Sequence, residues 1–169
     1  MLFRSVGING QSTKRNPPTL YNVAYQRLLF HDGREFSLED QVISPLTNPL
    51  EMGNPSIGYV VHKLQSLPDY RAQFQRAFGA EASVATLGKA LASYERTLVS
   101  GNSPFDRWHF GGEQAAVSPQ VKAGFKLFRG KGQCFARHTI DKAGALFGGQ
   151  GFRNTGVAHL ALIPEKEVS

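Results

Sequence analysis

The sequence predicts an all-α protein with long irregular loops. Apolar residues recur at helical spacing in several separate segments, most clearly Ile57, Val60, Val61 and Leu64 at i, i+3, i+4 and i+7. Those segments are bracketed by residues that start or stop helices, and no region alternates with period two for long enough to make a strand. With 169 residues, 41% of them hydrophobic, the chain is long enough to bury a core and too apolar to be disordered.

Taken in order, Met1 to Arg34 is dominated by turn signals: Gly7, Gly10, Asn16-Pro17-Pro18 and Asp32-Gly33. Between them, Thr19 to Phe30 has room for a short helix or a packed irregular segment. Ser37 with Asp40 three residues on resembles a capping box, opening a short helix that Pro45 is expected to end. Pro45 to Gly53, with two prolines and a glycine, is expected to be a shaped loop. Asn54-Pro55 then reads as an N-cap and first-turn proline for the helix carrying the Ile57–Leu64 stripe, which Leu67-Pro68 stops. Asp69 restarts a helix with Tyr70, Phe74, Ala77 and Phe78 on one face and Gly79 as its stop. Ser83 caps the longest helix, whose stripe is Val84, Leu87, Leu91, Tyr94 and Leu98, ending near Gly101. Ser118-Pro119 opens another, with Val121, Phe125 and Phe128 apolar and Gly130 closing it.

No window approaches about 18 consecutive apolar residues, so no membrane-spanning helix is expected. Met1 to Gly7 lacks the basic, apolar and small-residue sequence of a signal peptide, which would leave the chain in the cytoplasm if the sequence is complete. The formal charge is +6, but the nineteen Lys and Arg residues run along the whole chain and only Lys14-Arg15 are adjacent. No nucleic-acid-binding motif accompanies them, so no nucleic acid is expected as a partner; a basic surface equally suits an acidic protein.

Two constellations carry chemistry. In Lys131-Gly132-Gln133-Cys134-Phe135-Ala136-Arg137-His138, Cys134 and His138 stand at the spacing of the first Cys and the His of a Cys-x-x-Cys-His haem attachment site. Arg137 occupies the second Cys position, where it would either pair with a haem propionate or oppose docking. Read alone, Cys134 is more simply an inert thiol and His138 a loop residue. The second constellation is Gln41 and Glu51, ten residues apart across a proline-bent segment that allows them to converge. Over a bound peroxide a carboxylate can carry a proton from one oxygen to the other while an amide holds the oxygens. Read alone, Glu51 is more simply a solvated loop residue or a cap for the next helix.

The order of motifs resembles that of the bacterial di-haem cytochrome c peroxidases, including the related di-haem enzyme of methylamine utilisation. The resemblance runs through Gly7-Ile8-Asn9-Gly10-Gln11, Arg15 to Tyr25, Phe30-His31-Asp32-Gly33-Arg34, Ser37 to Gln41 and Asn48 to Gly53. It resumes at Ala92 to Leu98, Ser103 to Arg107, Gly124 to Phe128 and Phe152 to Val157.

That resemblance implies cytochrome c-like helical domains and the reduction of hydrogen peroxide with electrons from a small donor protein, a cytochrome c or a cupredoxin. It implies haem c as cofactor, calcium as a further one, a periplasmic location, and a homodimer as an assembly to test. Glu51 would be the acid/base residue and Gln41 its neighbour. His31 stands where many members have a tryptophan between the haems. Cys134 and His138 match the attachment site of the second haem, with His138 on its iron, and Asn16 matches a calcium-site residue. Residues 1–110 would form most of the peroxidatic, first-haem domain without its attachment motif, and 111–169 the start of the electron-transfer domain. Measured against the family, the chain is expected to be truncated at both ends. The alternative is therefore a haem-free, inactive remnant acting as a helical interaction fragment.

Overall fold

The computed structural model describes residues 5–13, 16–142, 144–149 and 151–152. Lys14-Arg15, the end of the Phe152 to Val157 motif and the last residues of the chain lie outside them. Among the described residues the fold is helical without strands; the only β-type pairings are isolated bridges, Val6 with Ser12 and Leu29 with Glu35. No helix among them is long and apolar enough to cross a membrane. The chain divides into two compact units, Met1–Asn102 and Ser103–Ser169.

The first unit holds five helices: α1 (Leu38–Gln41), α2 (Ile43–Thr47), α3 (Ile57–Ser66), α4 (Pro68–Phe78) and α5 (Val84–Thr97). Serines set three of the helix starts. The Ser37 hydroxyl accepts from Asp40 N, Ser56 from Tyr59 N, and Ser83 from Thr86 N within a reciprocal capping box. Gly79, at φ +64°, stops α4 in the left-handed conformation.

Four local expectations are corrected. Pro45 does not end a helix. The break falls at Val42, and Pro45 sits in the first turn of α2, where a missing N–H leaves no helical bond unmade. Asn54 is not an N-cap: its Nδ2 donates to Leu46 O at 2.8 Å, and Ser56 caps α3 instead. Pro68, rather than Asp69, is the first residue of α4, where its fixed φ suits the helix start. The stripe on α5 is rotated. Val84 and Tyr94 are 43% and 63% exposed, and the buried side runs through Leu87, Gly88, Ala92 and Glu95.

Thr19 to Phe30 forms one 3₁₀ turn, Val23–Tyr25, pinned to the end of α5. Asn22 N donates to Leu98 O (2.8 Å), and its side chain exchanges two 2.9 Å bonds with the Ser100 backbone. Two apolar clusters result. Val23, Leu29, Leu38 and Ala92 form one; Phe74, Ala82 and Leu87 form the other, flanked by Leu46, Ile57, Val60 and Leu64. α5 serves both clusters and is the helix against which α1 packs.

The second unit holds α6 (Pro104–His109), capped by Ser103 and Asp106, and α7 (Pro119–Arg129), capped by Ser118. α6 is too short to show a periodic stripe, and the sequence reading did not assign it as a helix. Rings fill the space between the two. Phe105 meets Phe125 edge to face at 5.2 Å and stacks on His109 at 5.2 Å.

α1 and α5 touch where α5 has no side chain. A Cβ on Gly88 would stand 2.8 Å from the backbone oxygen of Glu39. Gly88→Ala is therefore expected to push α1 off α5 and destabilise the first unit by about 1–3 kcal/mol, read as a lower denaturation midpoint. An unchanged midpoint would show that the approach is not tight.

Candidate functional site

Gln41 is the last residue of α1, and Glu51 lies in the turn after α2. Thr47 ends α2 and Asn48 organises that turn. Asn48 O accepts from Glu51 N (3.0 Å) and Gly53 N (2.9 Å), and its Oδ1 accepts from Leu50 N (3.0 Å). The remaining Asn48 group, Nδ2, donates to Glu51 Oε1 at 2.9 Å. Glu51 is therefore a half-buried carboxylate with one oxygen fixed, not a cap for α3.

The N-terminal segment holds the same turn from its other side. Ile8 N donates to Glu51 O at 2.7 Å. Any side chain on Gly7 would overlap the Leu50 carbonyl and stand 2.8 Å from Glu51 Cα, so only glycine allows this approach. Gln41 Oε1 is buried and has no hydrogen-bond partner. An amide oxygen left in that state is costly unless a ligand or water completes it.

Glu95 is the other side chain among the described residues with a buried, unpartnered oxygen, and it is only 7% exposed. Burial raises its pKa above the ordinary 4.5, opposed by the neighbouring Arg96 charge. Arg96 itself is directed to Glu39 on α1, at 2.9 Å.

His31 is exposed in the turn between Leu29 and Glu35, beside Phe30, whose ring is covered by the Arg34 guanidinium at 3.6 Å. Asn16 is exposed, and its Oδ1 accepts from Ser5 Oγ at 3.2 Å. Calcium takes six to eight oxygens. Among the described residues no group of three or more His, Cys, Asp or Glu could hold a metal.

In the second unit Cys134 opens a 3₁₀ turn, Cys134–Ala136, entered through Gln133 at φ +51°. Its thiol is exposed. His138 N donates to Cys134 O at 2.9 Å, which fixes the two residues in one turn. His138 Nδ1 lies 2.8 Å from Phe147 O. A carbonyl can only accept, so Nδ1 is the donor, and in the neutral imidazole Nε2 holds the lone pair that a metal would take. Phe128 stands beside the imidazole at 6.2 Å. A free thiol, an oriented imidazole and an aromatic neighbour fit a haem held by one thioether; Arg137 stands where a second thiol would be.

A family model described as di-haem cytochrome c peroxidase matches residues 2–115. The chain belongs to that family. It is 42% identical over 140 residues to the methylamine utilization protein MauG of Methylorubrum extorquens, covering 82% of this chain and 39% of that protein. It is 33% identical over 153 residues to the cytochrome c peroxidase Ccp of Escherichia coli, covering 90% and 32%. The crystal structure of the di-haem peroxidase BthA from Burkholderia thailandensis matches with a TM-score of 0.73 and 27% identity, over 86% of this chain and 41% of that one. The chain thus spans about two fifths or less of these relatives, and the helical, cytochrome c-like fold class is shared with them.

Sequence reasoning missed Asn48, Gly7 and Glu95. Asn48-Pro49 was a visible turn signal for the first, but nothing local marks Gly7 as the residue under Leu50. Glu95 was hidden because a charged residue between Ala92 and Leu98 reads as solvent-facing.

The raised pKa of Glu95 has a definite sign. Below about pH 4 the carboxyl is protonated folded and unfolded, and it costs nothing. As pH rises the unfolded chain releases the proton first, so stability falls until the folded carboxyl ionises. Glu95→Gln is expected to gain thermal stability over the parent as pH rises from about 4 to about 8, with no gain at the acid end. A difference in Tm independent of pH would remove the buried charge as its cause.

Proposed function

We propose that this chain is part of a di-haem peroxidase-type oxidoreductase that reduces hydrogen peroxide to water with electrons from a small redox protein in the periplasm. The observation that carries this reading is the bond from His138 Nδ1 to Phe147 O, which leaves Nε2 presented one turn from an exposed Cys134 thiol. Cys134 would hold haem c through a thioether, and His138 Nε2 would bind its iron. When bound, the haem supplies the electron chemistry.

The protein's own groups handle protons and position. Reduction of one peroxide to two waters consumes two electrons and two protons. Glu51, with Oε1 fixed by Asn48, would take up and return a proton through its other oxygen at a peroxide bound in the first unit. Gln41 completes its unsatisfied Oε1 by accepting a hydrogen bond from the peroxide O–H.

Arg137 in place of a second thiol favours a second reading, a haem-free and inactive member of the family acting as a helical interaction fragment. The two separate cleanly. The chain is exported in a host able to attach haem c and its spectrum is taken before and after dithionite. A Soret band that survives acid-acetone extraction is expected, and Cys134→Ser should abolish it. In a protein loaded with both haems, Glu51→Gln is expected to lower peroxide turnover by about 10²–10⁴-fold, the range for loss of a general acid/base. A flat visible spectrum would sink the peroxidase reading and leave the second.

A further inference from the structure

Charge balance is uneven along this chain. The whole sequence carries a formal +6, yet residues 118–142 alone hold six Lys or Arg against the single carboxylate of Asp141. α7 sorts three of these cations onto one face, Lys122, Lys126 and Arg129 at i, i+4 and i+7. They border an open groove of about 500 Å³ that Trp108, Phe125 and Gly130 also line. None of the three is ion-paired among the described residues, and Lys122 Nζ donates to the neutral Gln114 amide oxygen at 3.2 Å.

The groove has an aromatic wall, with Trp108 and Phe125 packed edge to face at 5.3 Å. It is also continuous with the haem-attachment turn. The Arg129 guanidinium lies 6.0 Å from the Phe125 ring and 5.4 Å from that of Phe135, the residue after Cys134. Unpaired cations around half-buried rings make a surface that steers an acidic partner and then excludes water at contact. Continuity with the Cys134–His138 turn selects a redox protein over a nucleic acid, because a donor must come close to the group it reduces.

We propose that this face of α7 docks an acidic redox protein, the electron donor, through charge complementarity to Lys122, Lys126 and Arg129, with Trp108 and Phe125 at the centre of the contact. The partner's role as donor rests on the peroxidase reading; its acidity does not.

Trp108 is the chain's single tryptophan, so its emission reports on the groove without a label. The whole chain is titrated with reduced, acidic plastocyanin as the probe. A saturable change in Trp108 emission is expected, with affinity falling about tenfold or more between about 20 and 200 mM salt. A basic mitochondrial-type cytochrome c should give no saturable change. Lys126→Glu with Arg129→Glu should weaken plastocyanin binding about tenfold or more while far-UV circular dichroism is unchanged. If that double variant fails to fold, Lys126→Glu alone, at an exposed position, should weaken it several-fold, roughly as loss of one interfacial charge does.

Equal affinity for both probes, indifference to salt, or indifference to charge reversal would each overturn the proposal. So would a DNA duplex that binds the same face more tightly than plastocyanin, since the face would then be a general polyanion site. A chain that takes up no haem yet docks plastocyanin through these residues would end the peroxidase reading and keep the docking surface. A haem-loaded chain that reduces peroxide but ignores plastocyanin would do the reverse.

Discussion

The first unit depends on one close approach, the seating of α1 against α5 at Gly88. With a Cβ there the Glu39 carbonyl would stand 2.8 Å away, so helix backbone meets helix side without an intervening layer. That contact brings Leu38 onto Ala92 and aligns Glu39 with Arg96. It also fixes Gln41 at the end of α1, from which α2 departs after a single residue. The exposed Glu39–Arg96 ion pair adds little by itself. The steric fit at Gly88 is what decides where the following turn begins.

A second glycine completes that constraint from the N-terminal side. Gly7 lies against Leu50 and Glu51 with no room for a side chain, and Ile8 binds the Glu51 carbonyl. The backbone of Glu51 is thus held by Ile8 N on one side and by Asn48 O on the other, and neither of these bonds depends on the carboxylate's own charge. This is a suitable support for the proton-carrying role proposed for Glu51. Such backbone bonds do not weaken when a carboxyl gains a proton, whereas an ion pair would. Glu95 shows the opposite arrangement: it is buried without a compensating bond to Oε2, so its charge state is coupled to the stability of the unit.

The helices were legible wherever a serine, a proline or a glycine acted on its immediate neighbours. Ser37, Ser83 and Ser118 cap as their spacing predicts, and Gly79 stops α4. Errors arose where tertiary contacts competed with local signals. Asn54 had the right identity for a cap but spends its amide on Leu46 O, leaving the cap to Ser56. Tyr94 has the right period for the buried stripe of α5, yet Ala92 and Glu95 take the interior because Gly88 sets the rotation of the helix against α1. For the site, the sequence showed the residue types of Gln41, Glu51, Cys134 and His138. What holds them was not legible, since Gly7, Asn48 and Phe147 act through backbone atoms or through turns that no residue pattern reports.

The imidazole of His138 illustrates why that hidden part matters for chemistry. A Cys and a His four residues apart occur by chance in many chains, and an exposed His can present either nitrogen. The Phe147 carbonyl removes that freedom by holding the proton on Nδ1, so the free electron pair is confined to Nε2. The 3₁₀ turn at Cys134 and the bond from His138 N to Cys134 O then fix how the thiol and the imidazole are spaced. Arg137, between them in sequence, cannot form the second thioether and carries a permanent charge. Were a haem held here, one covalent link would leave more of the binding energy to His138 than two links would. The carbonyl of Phe147 thereby becomes a determinant of whether this turn can hold a haem.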